Sequence, residues 1–187
     1  MSLDLNTLKV KTNAYKQVLK NTLDFRKEWN TESKVMIQTT LNHLLKELKI
    51  KGEVKIQENI ENLESIILDL GKASSGITEN LEGSGVKRTM IKTNGALVYQ
   101  QLFNGKIMVM VSSPHIEGYG EPKPPFSLEI IRPSELKEGF IFKHFEQLLK
   151  IATEWEDYDD ELPTQQTRSF NPIGFNGNGR FQELEDA

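Results

Sequence analysis

The stretch KRTMIKTNGALVYQQLFNGKIMVMVSS, residues 87–113, carries the clearest structural pattern in the chain. Two Asn-Gly pairs, Asn94-Gly95 and Asn104-Gly105, separate three runs that are rich in apolar and β-branched residues. Asn-Gly favours a two-residue hairpin turn, because a type I′ turn requires positive φ at both central positions. The pattern therefore predicts three consecutive antiparallel strands joined by two hairpins.

The last of these three strands, at residues 106–113, is apolar at every position from Ile107 to Val111. An antiparallel strand with one face in water alternates apolar and polar residues, so this continuous run predicts a central strand covered on both faces. Helices can cover one face of the sheet. The other face then needs a second layer, a loop or another subunit.

Further strands are expected before and after these three. Alternating apolar residues predict strands at residues 53–60 and 64–71, and the sequence FSLEII predicts another at 126–131. The small and polar residues at 72–86 predict a loop that connects strands. We therefore expect one antiparallel meander sheet of about five to six strands within residues 53–131.

Helices are expected on both sides of this sheet in the sequence. Apolar residues at helical spacing predict a first helix at residues 8–29. The sequence NTES at 30–33 predicts a break, with Asn30 or Thr31 capping a second helix that runs to about Leu48. Two helices with a short joint form an antiparallel hairpin by default.

The order of elements determines the expected fold class. Residues 1–50 are expected to form the helical hairpin, and apolar periodicity predicts a last helix at 134–156 that packs on the sheet. Because helices and strands do not alternate along the chain, the fold class is α+β rather than α/β. A single α+β domain over residues 1–156, followed by a tail at 157–187, is the expected organisation.

Composition excludes several kinds of site and uncovers an uneven charge distribution. The 187 residues include no cysteine, so disulfides, thiolate metal sites and cysteine nucleophiles are excluded. No signal peptide and no apolar run of membrane-spanning length are recognised, and a cytoplasmic location is expected. The net charge of −4 combines a mildly basic front half with a strongly acidic segment from Glu154 onward.

The tail at 157–187 is acidic at first and then rich in Asn and Gly. Such a composition is typical of a disordered segment, but several large apolar residues within it suit a peptide that docks on a protein surface. A mobile tail and a docking tail both remain open. The candidate anchors are Phe170, Ile173, Phe175 and Phe181.

The loop at 112–126 is the first candidate site. His115, Glu117 and Glu121 are weak candidates for metal ligands, because imidazole and carboxylate groups bind hard or borderline metals. The prolines instead favour a stiff, extended backbone that loses little entropy when it binds a partner protein. A rigid surface loop without a binding role is the simplest interpretation, and we rank partner binding above metal binding, through His115, Tyr119, Pro122, Pro124 and Pro125.

The first helix offers a second candidate surface. Lys9, Lys16, Lys20, Lys27 and Lys34 recur at steps of seven and four residues, which places many of them on one side of a helix. Nucleic acid could bind such a stripe, but few arginines accompany the lysines and the chain as a whole is acidic. The other interpretation is that these lysines form the solvent-exposed face of an amphipathic helix.

These patterns favour a protein that works by association rather than by catalysis. No serine, histidine or carboxylate set has the spacing of a catalytic motif, and neither a cofactor nor a catalytic residue is assigned. The expected function is a cytoplasmic interaction or assembly module, adaptor- or chaperone-like, that self-associates and binds another protein. The alternatives are a metal- or ligand-binding enzyme using the 112–126 loop, and a nucleic-acid accessory protein using the lysines of the first helix.

Overall fold

The computed structural model describes residues 5–80, 86–119 and 121–157. It confirms the α+β class. The helices are α1 (Leu5–Glu28), α2 (Lys34–Glu47) and α3 (Glu138–Glu156). The strands are β1 (Glu53–Gln57), β2 (Ser65–Asp69), β3 (Lys72–Asn80), β4 (Lys87–Thr93), β5 (Ala96–Gln101), β6 (Ile107–Ser112), β7 (His115–Ile116) and β8 (Phe126–Ile131).

The strands form two antiparallel sheets. The larger has five strands in the order β1-β2-β5-β6-β8, and the smaller has three in the order β3-β4-β7. The expected strands β1, β2, β6 and β8 are all confirmed close to their predicted positions. The division into two sheets did not follow from the sequence pattern.

Only one of the two Asn-Gly pairs lies in a hairpin, and its turn is not the expected type I′, because Gly105 has a positive φ and Asn104 does not. Asn104-Gly105 lies in the turn between β5 and β6, where the Gly105 N–H donates to the Leu102 carbonyl at 2.8 Å. The hairpin predicted at Asn94-Gly95 is wrong, because β4 pairs with β3 and β7 while β5 pairs with β2 and β6. At this position the Asn94 N–H donates a hydrogen bond of 2.9 Å to the Gly71 carbonyl. Backbone hydrogen bonding therefore continues from the β2–β5 pair of one sheet into the β3–β4 pair of the other.

The hairpin at Asn94-Gly95 does not form because of the residues that precede β4. Residues 72–80, interpreted from sequence as part of a loop, form β3 and occupy the edge of β4 that a loop would have left free. The positive φ of 96° at Gly95 therefore allows the chain to bend between β4 and β5, and the chain does not reverse its direction there. A side chain at Gly95 would also contact the Ser112 carbonyl at 2.9 Å.

The predicted helical hairpin at residues 1–50 is also wrong. Trp29–Ser33 form a π-helical turn, in which the Lys34 N–H bonds to the Trp29 carbonyl, and the helix continues from α1 into α2 without reversal. No glycine or proline interrupts this segment to turn the chain. Trp29 and Ser33 are both buried, so the joint itself packs in the core instead of being a solvated cap.

The core lies between one face of the five-stranded sheet and the two helices α2 and α3. Ile107, Val109 and Val111 of β6 are buried on this face, whereas Met108 and Met110 on the opposite face are only half-buried. The expectation of a strand covered on both faces is therefore not met by the described residues. The helices contribute Ile37, Leu41 and Leu45 from α2, and Ile141, Phe145 and Leu148 from α3.

Candidate docking surface on the first helix

Helix α1 is the one helix of the described residues that buries no side chain. It is 24 residues long, and every side chain from Leu5 to Lys20 is exposed. An amphipathic helix in a protein gains most of its stability from packing its apolar face on other elements. The N-terminal two thirds of α1, Leu5–Lys20, lack such packing within the described residues.

The exposed residues include a regular apolar set. Leu5, Leu8, Tyr15, Leu19 and Leu23, here called the α1 stripe, lie along one side of the helix. The exposed fraction is 52% for Leu8 and 50% for Leu19, whereas the equivalent apolar side chains of α3 are buried. The stripe is thus a formed but uncovered apolar face.

A row of like charges lies beside the α1 stripe. Lys9, Lys16, Lys20 and Lys27, here called the lysine row, are seven, four and seven residues apart and share a side of the helix. All four are exposed. Lys34, which the sequence pattern placed with them, instead binds Glu58 and Glu64 with a side chain that is 17% exposed.

The C-terminal end of α1 is fixed to the domain at the turn between β5 and β6. Gly105 has a φ of 78°, and a Cβ at this position would lie 2.8 Å from Phe25 Cβ and 2.9 Å from the Thr22 carbonyl. The Arg26 guanidinium donates a hydrogen bond of 2.9 Å to the Phe103 carbonyl. Glycine therefore permits the helix to approach the turn closely, and the contact sets the direction in which α1 leaves the domain.

The π-helical turn provides a second fixed point. The Trp29 indole is fully buried and its Nε1 donates to Glu64 Oε2 at 3.0 Å. Lys34 forms ion pairs with Glu64 and Glu58. Burial alone would raise the Glu64 pKa, but the hydrogen bonds from Lys34 and Trp29 lower it below its usual value, so the carboxylate stays charged.

The weak candidates for metal ligands in the 112–126 loop, His115, Glu117 and Glu121, do not form a group of three among the described residues. The Thr93 hydroxyl lies 2.9 Å from His115 Nδ1, across the pairing of β4 with β7. Glu117 bonds instead to Lys72, and this hydrogen bond lowers the Glu117 pKa. Within the part of the chain that the structure describes, no three histidine or carboxylate side chains lie close enough to hold one metal ion.

The other residues expected to bind a partner stay predictions. Pro122, Pro124 and Pro125 are exposed, and Tyr119 is half-buried. Glu121 is exposed as well. The candidate anchors of the tail lie outside the described residues: Phe170, Ile173, Phe175 and Phe181.

A buried histidine of α3, His144, joins this helix to the sheet. His144 Nε2 lies 2.6 Å from Glu129 Oε1, and the Tyr99 hydroxyl lies 3.0 Å from His144 Nδ1. A carboxylate only accepts hydrogen bonds, so the proton on Nε2 is donated in a hydrogen bond to Glu129. Nδ1 then accepts a hydrogen bond from the Tyr99 hydroxyl. All three side chains are satisfied when the imidazole is neutral.

The electrostatics of this cluster agree with that protonation. Burial lowers the His144 pKa, and the Glu129 carboxylate opposes this effect without cancelling it. Burial, with a smaller effect of Glu129, raises the Tyr99 pKa above its usual value. Because Tyr99 is fully buried, its hydroxyl has no access to a substrate, and the cluster is a structural link. The position of His144 three residues after Ile141 could have placed it on the buried face.

The exposure of the α1 stripe also had a signal in the sequence. The helical frame of the stripe contains Thr12 and Thr22 at positions where a buried face would carry larger apolar residues. Such a face is poorer in apolar area than that of α3. The continuous helix had no comparable signal, since NTES has the composition of a cap.

Comparison with known proteins gives no guide to family or function. No family model matches the chain, and neither the curated proteins nor the solved structures give a significant match. None of the described helices combines the length and the apolar character needed to cross a membrane.

Proposed function

We propose that this chain is a non-catalytic association module, adaptor- or chaperone-like, and that α1 is the element through which it assembles with other copies. One observation carries the proposal: Leu5–Lys20 are helical, yet every side chain in this segment is exposed. The cysteine-free sequence is compatible with a reducing compartment, and a cytoplasmic location is part of the proposal.

The energetics of an isolated helix support this proposal. Most helical stability in a protein comes from packing of an amphipathic face on other elements, so a helical segment without such packing is marginal in water. The exposed segment Leu5–Lys20 contains Thr7, Val10, Thr12, Asn13 and Val18, all of which are weaker helix formers than alanine. Covering the α1 stripe by another chain would supply the packing that this segment lacks within the described residues.

The uncovered face of the five-stranded sheet is a weaker candidate for the main contact. Ile67, Val98, Met108 and Met110 on that face are half-buried by their own neighbours, and only Ile130 on the edge strand β8 is 55% exposed. Every residue of the α1 stripe is at least half exposed. Less apolar surface would therefore leave water at the sheet for each residue covered. We expect the sheet face to contribute to assembly only after α1.

The enzyme alternative has less support. His115 is bonded to Thr93 and Glu117 to Lys72, so the three candidate ligands of the 112–126 loop do not converge. The Tyr99–His144–Glu129 cluster has the elements of a proton relay, but its hydroxyl is buried. We therefore propose no reaction.

The test is the mass of the intact full-length chain in solution, by native mass spectrometry and by sedimentation over a range of concentrations. We expect a dimer or a larger assembly. The double substitution Leu8→Ser with Leu19→Ser should shift the equilibrium to monomer, because it removes two apolar side chains from the α1 stripe without touching the core.

A matched control is available elsewhere on the surface. Leu48→Ser with Phe142→Ser removes apolar side chains that are 51% and 46% exposed, close to the values of Leu8 and Leu19. This control should assemble like the unchanged protein. A wild-type chain that stays monomeric at high concentration, or two variants that assemble equally, would show that α1 is not the assembly element.

A further inference from the structure

We infer that the occupant of the α1 surface is the acidic C-terminal segment, residues 158–187, of a second copy of the chain. The inference rests on the proposed function, since it names what covers the α1 stripe. It begins with the charges on α1. Leu5–Glu28 carry six basic and two acidic side chains, a net charge of +4.

This charge argues against pairing of α1 with α1. Lys9 and Lys16 flank the α1 stripe on one side, and Lys11 flanks it on the other. In a parallel pair of helices the opposite flanks meet, which brings Lys11 of one copy beside Lys16 of the other. In an antiparallel pair the same flanks meet, which brings the lysines of the row together. Both arrangements place like charges at the edge of the contact, where they oppose association.

The surface therefore suits an occupant that combines negative charge with apolar anchors. Residues 158–187 carry six acidic and two basic side chains, a net charge of −4 that balances the charge of α1. The acidic residues form two groups, Asp159–Glu161 and Glu183–Asp186. Between them lie the large apolar residues Phe170, Ile173, Phe175 and Phe181. Acidic groups can meet the lysine row while apolar residues cover the α1 stripe.

The position of the two elements favours exchange between copies. Helix α3 ends beside β4, where Glu156 pairs with Lys92. Helix α1 meets the domain at Gly105, beyond the far end of β5. The nine residues from Lys92 to Gln101 would span at most about 30 Å at about 3.3 Å per residue, and the bend at Gly95 shortens this distance. Asp157, where the described residues end, therefore lies away from the point at which α1 of the same copy contacts the domain.

Reciprocal exchange would give a closed assembly. Each copy would offer one helix and one segment, so a pair of copies satisfies both surfaces with two-fold symmetry. The contact would weaken with salt, because the unlike charges lie at an exposed rim. It would also couple assembly to modification of the segment, since a change of charge there acts on the contact directly.

The first experiment is zero-length carbodiimide cross-linking of the full chain, using a mixture of unlabelled and heavy-isotope copies. This reagent joins an amine to a carboxylate only when the two are in contact. We expect mixed-isotope products that link Lys9, Lys16 or Lys20 to acidic residues of 158–187, and a lower yield at about 1 M salt, where screening acts within about 3 Å. Links found only within one isotope would place the segment on its own helix and overturn exchange between copies.

The second experiment measures association after charge neutralisation in the full chain. Neutralising five acidic residues of the segment should weaken association about tenfold or more, because several rim charges each contribute modestly. The substitutions are D159N, D160N, E161Q, E183Q and E185Q. The matched control neutralises five exposed glutamates of the domain: E32Q, E47Q, E53Q, E61Q and E146Q.

The outcomes separate this inference from the proposed function. If the chain assembles and depends on Leu8 and Leu19, but cross-links join α1 only to acidic residues of the domain, the proposed function stands and the C-terminal segment is not the occupant. Equal association of the two charge variants would likewise exclude the segment as the occupant. A chain that does not assemble at all contradicts the proposed function itself.

Discussion

Helices α1 and α3 have similar lengths and each has an apolar side, but the domain uses them in opposite ways. Helix α3 buries Ile141, Phe145 and Leu148 against the sheet, while α1 buries no side chain. Periodicity therefore predicted that a helix forms and which side is apolar. It did not predict which surface covers that side, because the covering surface is set by the path of the chain between elements.

The path is decided at the joint between α1 and α2. A reversal of the chain there would have brought α1 back onto the domain, but α1 continues into α2 through the π-helical turn Trp29–Ser33. The close approach at Gly105 then holds the end of α1 beside the hairpin turn. One helix is consequently part of the core, and the other extends from it.

The largest expected effect tests the buried side of this comparison. Phe145→Ala should destabilise the protein by about 3–5 kcal/mol, since it removes a buried aromatic ring and leaves a cavity. Leu19→Ala should cost less than about 0.5 kcal/mol at concentrations where the chain is monomeric, because its side chain is half exposed. Urea unfolding followed by circular dichroism measures both values. A similar cost for both substitutions would mean that α1 packs on the domain.

The next effect tests the joint that directs α1. Gly105 and Gly76 both have positive φ, of 78° and 77°, but only Gly105 has a helix against it. Gly76→Ala should cost about 1–2 kcal/mol for the left-handed backbone alone. Gly105→Ala should cost about 1–3 kcal/mol more, because its methyl group meets Phe25. Equal costs in urea unfolding would show that α1 does not press on this turn.

A smaller effect, dependent on pH, tests the link between α3 and the sheet. The lowered His144 pKa means that the folded chain binds a proton less readily than the unfolded chain, whose histidine titrates near 6.5. Stability is thus complete above pH 6.5 and falls as the pH drops below it, by at most about 1.4 kcal/mol per pH unit. We expect this slope between pH 7 and 5.5 in urea unfolding.

Two variants test whether His144 causes this dependence of stability on pH. His144→Gln should lower the stability at pH 7 and flatten the dependence on pH, since the titrating group is gone. His43→Gln, at an exposed position of α2, should leave both unchanged. If the slope persists in His144→Gln, another group is responsible for it.

The sequence predicted local structure better than it predicted the partners of each element. Strands β1, β2, β6 and β8 and helix α3 were placed correctly, because each has a regular apolar pattern or a continuous apolar run that ends at polar or turn residues. The bend at Asn94-Gly95 was mistaken for a hairpin, since a positive φ serves both and only pairing with β3 distinguishes them. Strand β3 itself was missed because its composition is that of a loop.

The candidate sites also differed in how well the sequence predicted them. The lysines at 9, 16, 20 and 27 were predicted to share a helix side, and their spacing alone was enough for that. The metal ligands proposed at 115, 117 and 121 were close in sequence, but the strand pairing of His115 and the ion pair of Glu117 direct them elsewhere. The Tyr99–His144–Glu129 cluster joins residues up to 45 positions apart, so no short motif contains it.

Hydrogen exchange of the full chain, followed by mass spectrometry at several concentrations, tests the central claim most directly. Peptides from α3 should be protected at every concentration, because its packing lies within one copy. Peptides from residues 5–20 should exchange rapidly when dilute and gain protection over the concentrations at which the mass of the particle rises. Protection of 5–20 in the dilute monomer, or rapid exchange at all concentrations, would contradict the account of α1 as a docking helix.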